Sequence, residues 1–397
     1  MLSNRIQALS ESETLAMSRK SRELKAQGHD VINLSLGEPD FNTPDYIKAA
    51  AKEAIDKNFT FYPPVAGYQD LREAICIKFK RDNNLEFTCD QIVVSTGAKQ
   101  SIANVFLSLV NPGDEVLVPA PYWVSYKEIV KVAEGKAVFL PTTTESEFKL
   151  TPQQLEAAIT PKTKLMIYSS PCNPTGSVYT RDELRAIAEV LRNHPHVYII
   201  ADEIYEHINF VGKHESIGQF EWLRDRLIIV NGVSKGFAMT GWRIGYIAAP
   251  KVIAQACDKL QGQFTSGASS IAQRAALKAI LTDPGTPEMH TMKTAFRERR
   301  DLMLQLLSDI PGMKLNHPEG AFYIFPDISW YFGKSDGTTT VSNSADLCMY
   351  ILNKVFVALV PGDAFGAPEC IRFSYATSKE KLVEAVDRIK NALKNLK

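Results

Sequence analysis

The chain has 397 residues, 45% hydrophobic and 23% charged, with 45 basic and 45 acidic side chains and a formal net charge of zero. This composition excludes disordered, fibrous and collagen-like classes, and the balanced charge lacks the basic excess of a nucleic-acid binder. No apolar run approaches the roughly 18–20 residues of a membrane-spanning helix, and the first twenty residues carry charges in every turn, without the apolar stretch of a secretory signal.

Residues 1–47 are too short to fold alone and are expected to join the C-terminal part. Between there and about residue 285, short apolar runs alternate with helical stretches. In chain order the pattern predicts a helix over 68–81, a strand at 92–95 (IVVS), a helix over 98–110, strands at 115–118 and 137–140, and a helix over 152–159. A strand at 164–168, a helix over 181–193, and strands at 197–201, 226–230 and 244–248 follow. Buried β-branched runs alternating with helices predict an α/β fold with a mostly parallel seven-stranded sheet flanked by helices.

The breaker cluster LTDPGTPE (281–288) ends this unit. A long amphipathic helix over about 288–308 comes next, then the β-rich AFYIFPDI, a helix near 344–354, a strand around 371–375 and a closing helix over 378–395. The expected division is therefore an N-terminal segment 1–47 joining a small α+β domain at 286–397, with a large domain at 48–285. The six cysteines form no C-x-x-C pair. They read as reduced thiols, and a cytoplasmic location is expected.

In open α/β sheets, ligands bind beyond the carboxyl ends of the strands, so the polar residues after each strand are read first. After the first strand, Gly97-Ala98-Lys99 opens a helix. Backbone N–H groups at a helix start, with a lysine beside them, suit a phosphate; the plainer reading is a glycine turn with a solvated lysine. After the fourth strand, Asn173 stands between Pro171 and Pro174, which suits either a rigidly held amide or ordinary turn chemistry. Asp202 directly follows an apolar run. A buried carboxylate there needs a cationic or hydrogen-bonding partner, unless it only caps a helix.

After the sixth strand comes the glycine-rich stretch Asn231–Gly245, with Lys235 and Arg243. A lysine in a poorly solvated pocket has a lowered pKa and acts as an amine nucleophile, and Arg243 suits bidentate phosphate binding. Phe237, Met239 and Trp242 argue against a solvated loop. Gly232 to Gly236 matches the G-x-S-x-G nucleophile elbow, but no helix and no suitably late Asp and His follow it. Gly236 to Gly241 has Walker A spacing without the required Lys-Ser/Thr. No G-x-G-x-x-G fingerprint is present. A phosphate cradle, a second phosphate clamp, a reactive lysine and a buried carboxylate for a ring nitrogen are together what pyridoxal phosphate requires.

With these residues in hand, the chain resembles the class I pyridoxal-phosphate-dependent aminotransferases of fold type I, closest to the bacterial aspartate aminotransferase subgroup. The resemblance spans nearly the whole chain. It is carried by GEPDFNTP (37–44), YPPVAGYQDLREA (62–74), STGAKQ (95–100), PYWVSY (121–126), SPCNPTG (170–176), ADEIYEH (201–207), the 232–245 stretch, GAFY (320–323) and RFSYATS (372–378).

The resemblance implies a role for each matching residue. Lys235 would hold the cofactor covalently and act as the general base. Asp202 would pair with the ring nitrogen, while Tyr205 and Asn173 would bond the phenolic oxygen. Trp123 would stack on the ring. Gly97, Ala98, Lys99, Ser234 and Arg243 would take the phosphate, joined by Tyr62 of a neighbouring subunit in a homodimer with shared sites. Arg372, with Gly37 nearby, would grip the substrate α-carboxylate, and Lys99, helped by Thr14, would take a distal one. The implied reaction is a ping-pong transfer of the amino group of L-aspartate, or a related amino acid, to 2-oxoglutarate, with no membrane or nucleic-acid partner. Aromatic or prephenate-type substrates, or a carbon–sulfur lyase or decarboxylase on the same fold, are the alternatives. The sequence departs from the family at Gly232, where some members carry a phosphate-binding serine.

Overall fold

A computed structural model describes residues 2–11 and 13–397. Seven strands form one sheet in the order Ile92–Ser95, Gly245–Ala248, Leu227–Gly232, Tyr198–Asp202, Thr163–Ser169, Glu115–Ala120 and Lys136–Pro141. Gly245–Ala248 alone runs against its neighbours, and the other pairings are parallel. Parallel strands need a crossover, usually a helix. The twelve residues between Gly232 and Gly245 contain only one 3-10 turn, Thr240–Trp242, so the chain reverses. That reversal leaves the whole 233–244 loop at the carboxyl edge of the sheet.

Strand alternation sends side chains to two apolar faces. Ile199, Ala201 and Ile229 join one core, while Ile200, Ile228 and Val230 join another on the opposite face. Burial on both faces explains why these strands read as continuous apolar runs.

A further core gathers Met17, Val31, Ile32 and Leu34 with Phe296, Tyr323, Ile351 and Phe373. Ile32–Asn33 pairs in parallel with Val357–Ala358. Tyr323–Ile324, Ile371–Ser374 and Val360–Pro361 form a three-stranded antiparallel sheet. The expected strand in AFYIFPDI shrinks to Tyr323–Ile324. The Phe325 N–H turns to Asn316 Oδ1 at 3.0 Å, and Pro326 has no N–H to offer.

Beneath the sheet's carboxyl edge, Lys78 at the end of helix Gln69–Lys78 donates to Glu206, and both side chains are buried. Asn231 Nδ2 also donates to Glu206, at 2.9 Å. Burial opposes ionisation of Glu206, but Lys78, His207 and His214 hold its pKa down to about 2. The ion pair ties the loop after Tyr198–Asp202 to the helix Gln69–Lys78, and the Asn231 bond ties it to the strand that ends at Gly232.

Candidate active site

Asp202 is the last residue of its strand and continues the parity of Ile200, so it faces the core that holds Tyr126. Its Oδ2 accepts from Tyr126 Oη at 2.7 Å and its Oδ1 from the Ile204 N–H at 3.3 Å. Among the described residues no cation stands within ion-pair distance of it. Burial raises its pKa to about 6, with Tyr126 pulling the other way. An anion kept in so dry a place calls for a positively charged partner from outside the chain.

Lys235 enters the same cavity from the loop after Gly232 and donates to the Gly37 carbonyl. Burial pushes its pKa from 10.5 to about 8. At neutral pH the uncharged, nucleophilic fraction is therefore far larger than for a solvated lysine.

The helix Ala98–Leu109 begins after Gly97, whose φ is 83°. A Cβ at position 97 would lie 2.1 Å from Arg243 Nη2, so glycine lets the guanidinium lie against the helix start. Gly245 is held by the same packing, since a Cβ there would meet Ala98 N at 2.1 Å. Arg243 itself takes a left-handed φ of 57°, a strained choice for arginine of the kind that clusters at functional sites. Lys99 lines the cavity, and its pKa is lowered by partial burial and then by Arg243. Neither cation has a carboxylate partner among the described residues. Two unneutralised cations at a helix N-terminus make a site for a multiply charged anion.

Arg372 is 2% exposed. Nη1 donates to Asn173 Oδ1 at 2.9 Å and Nη2 to the Ser35 carbonyl at 2.7 Å, while Nε is buried without a partner. A buried guanidinium with an unspent donor and no counter-charge is ready for a carboxylate. Tyr205 Oη lies 2.8 Å from Tyr323 Oη.

The cavity, of about 410 Å³, is thus lined by Thr14, Gly37, Ala98, Lys99, Trp123, Asn173, Asp202, Tyr205, Ser234, Lys235, Arg243 and Arg372. Of the residues expected from the sequence, Gly97 lies just behind Arg243, and Tyr62 stands apart, 96% exposed on the surface. At Gly232 a Cβ would sit 2.8 Å from the Ile244 carbonyl, so this backbone has no room for a serine. Tyr126, Tyr323 and Glu38 belong to the site without having been singled out in the sequence. Tyr126 and Tyr323 lie inside the conspicuous motifs PYWVSY and GAFY, which was the available signal.

A family model described as aminotransferase class I and II matches residues 29–389. The bifunctional aspartate aminotransferase and glutamate/aspartate-prephenate aminotransferase of Petunia hybrida is 50% identical, covering 100% of this chain and 83% of that one. An aspartate/prephenate aminotransferase of Cereibacter sphaeroides is 48% identical over 98% of this chain and 97% of its own. Among solved structures, the aspartate aminotransferase of Rhizobium meliloti superposes with a TM-score of 0.96 at 40% identity, covering 100% of both chains. That of Thermus thermophilus with maleate gives 0.93 at 40% identity, covering 99% of each.

Proposed function

The chain belongs to the class I and II aminotransferases, and from that premise we propose that it moves the amino group of L-aspartate to 2-oxoglutarate with pyridoxal 5′-phosphate as cofactor. The observation that carries this reading is one cavity holding three incomplete charge arrangements. A lysine amine is freed by burial, a buried carboxylate lacks a cation, and a Lys99–Arg243 pair lacks an anion. A phosphorylated pyridine aldehyde completes all three, so the residues fit the cofactor. When bound, it supplies an aldehyde for amine exchange and a ring that draws electrons from the substrate Cα.

The chain's residues then have defined tasks. Asp202, steadied by Tyr126, would keep a proton on the ring nitrogen. Gly97, Ala98, Lys99, Ser234 and Arg243 would hold the phosphate, with Trp123 against the ring and Tyr205 and Asn173 at its phenolic oxygen. Arg372 would clamp the α-carboxylate with its spare donor. Lys235 Nζ, neutral in a useful fraction near pH 8, would take the proton from the substrate Cα as general base. Lys99 and Thr14 would meet the distal carboxylate.

Tyr62, exposed beside Phe61 on an apolar stretch, supports a homodimer in which it reaches the neighbouring site. The same reading divides the chain into a cofactor-binding part at 48–285 and a smaller unit at 286–397, to which 1–47 belongs. The names of two relatives favour prephenate as a second keto acid, and a substrate panel distinguishes the two. Borohydride treatment of the cofactor-loaded protein should fix the label on Lys235 alone. A label mapped to another lysine would overturn the reading.

A further inference from the structure

Tyr323 does not line the cavity, yet it touches two of the groups that do, Tyr205 and Arg372. It pairs across the antiparallel ladder with Ser374. Arg372, two residues before Ser374 on that strand, lies on the same face as a diagonal neighbour. Its guanidinium lies 4.5 Å from the Tyr323 ring centroid. The phenol is fully buried, and its only hydrogen-bond partner among the described residues is Tyr205 Oη, at 2.8 Å. Gly37 makes room for it, since a Cβ there would stand 2.9 Å from Tyr323 Oη.

We propose that Tyr323 is a positioning residue that donates its proton to the Tyr205 hydroxyl and couples the carboxylate clamp Arg372 to that hydroxyl. The inference rests on the functional reading above, in which Tyr205 faces the phenolic oxygen of the cofactor. Two phenols 2.8 Å apart share one proton between them, so one of the two is the donor. If Tyr205 gave its proton to Tyr323, it would have none left for an anionic acceptor in the cavity. With Tyr323 as donor, the Tyr205 proton is free to face inward, and each bond polarises the next.

The cation on the Tyr323 ring makes that phenol the better donor. Burial raises the pKa of both phenols and Arg372 opposes the rise at both; at Tyr323 Arg372 comes second only to burial, whereas Tyr205 is raised well above the ordinary value, first by burial and then by Tyr323. The other charged groups facing the pair are Lys235, with Nζ 5.7 Å from the Tyr205 ring centroid, Asp202 and Glu38. A substrate carboxylate that neutralises Arg372 would weaken the Tyr323 donor, and Tyr205 behind it, so occupancy of the clamp would be felt at the phenolic oxygen.

The test is the pH midpoint of the bound cofactor's absorbance. Tyr323→Phe keeps the ring under Arg372 and removes only the donor. A weaker Tyr205 donor leaves the phenolic oxygen more basic, so the chromophore keeps its proton to higher pH. The midpoint should rise by about half to one pH unit, the size of one neutral hydrogen bond. Replacing Tyr323 with 3-fluorotyrosine, a more acidic phenol, should lower it. In a Tyr205→Phe background, adding Tyr323→Phe should change nothing more, because Tyr323 acts through Tyr205. Maleate, an unreactive dicarboxylate, should raise the wild-type midpoint by more than that of Tyr323→Phe. An unmoved midpoint in Tyr323→Phe, or an equal shift with and without Tyr205, would overturn the proposal. Wild-type protein that forms no chromophore at Lys235 would instead overturn the functional reading.

Discussion

Replacing Asp202 with Asn should stabilise the cofactor-free protein while nearly abolishing its activity. Burial raises the pKa of this carboxyl from 3.8 to about 6. At 1.36 kcal/mol per pH unit, keeping it ionised in the folded state costs about 3 kcal/mol. The sign follows from linkage. The folded state holds the proton more tightly than the unfolded chain, so no cost exists below pH 3.8, and the full cost is present above pH 6. Asn keeps an acceptor for Tyr126 but loses the 3.3 Å bond from the Ile204 N–H, which trims the gain by up to about 1 kcal/mol. With an unfolding entropy of roughly 2.1 cal/mol/K per residue over 397 residues, the net gain of about 2–3 kcal/mol raises Tm by about 2–4 °C at pH 8. About half of that should remain at pH 5. Scanning calorimetry of both apo-proteins at the two pH values measures it. Amino transfer should meanwhile fall by on the order of a thousandfold, as several kcal/mol of carbanion stabilisation disappear. An equal or lower Tm for Asp202→Asn at pH 8 would refute the unpaired buried anion. A rate loss under tenfold would remove Asp202 as partner of the ring nitrogen.

Lys99→Ala should lower kcat/KM for aspartate and glutamate by roughly tenfold to a hundredfold, the worth of a charge-assisted bond, and leave neutral or aromatic amino acids little changed; equal losses would assign Lys99 to the phosphate alone. Mixing inactive Lys235→Ala with Tyr62→Phe subunits should restore activity in mixed dimers, each holding one site with both native residues, and verified mixed dimers without recovery would exclude shared sites. Lys78→Met strands a buried Glu206 and should cost about 3–5 kcal/mol in denaturant unfolding at pH 8. That deficit should shrink as acid protonates Glu206, and a deficit independent of pH would deny the ion pair its role.

Much of this site was legible because the chemistry sits where strands end. The seven sheet strands follow their β-branched runs closely, as with 197–201 against Tyr198–Asp202. The glycine-rich stretch before Gly245 announced both Lys235 and Arg243. The direction of Gly245–Ala248 was not legible, because an apolar run looks the same read either way and only the missing crossover helix reverses it. The helix Ser125–Val132 is only eight residues long and opens inside the aromatic run PYWVSY, and no local pattern shows that Tyr126 reaches Asp202, 76 positions later. Lys78 in an amphipathic helix reads as solvated. Its burial comes from Glu206, 128 positions later, and no local pattern carries such a pairing. Tyr323 looked like a strand residue, and it is one; only the register with Ser374 brings it to Arg372.

The central claim is amino-group transfer from aspartate to 2-oxoglutarate, and isotope transfer tests it most directly. Purified protein loaded with pyridoxal 5′-phosphate is incubated with [15N]-L-aspartate and 2-oxoglutarate, and the products are read by mass spectrometry. The account predicts labelled glutamate and unlabelled oxaloacetate in equal amounts, with no transfer by Lys235→Ala. Alanine and carbon dioxide from aspartate, or oxaloacetate without labelled glutamate, would contradict it.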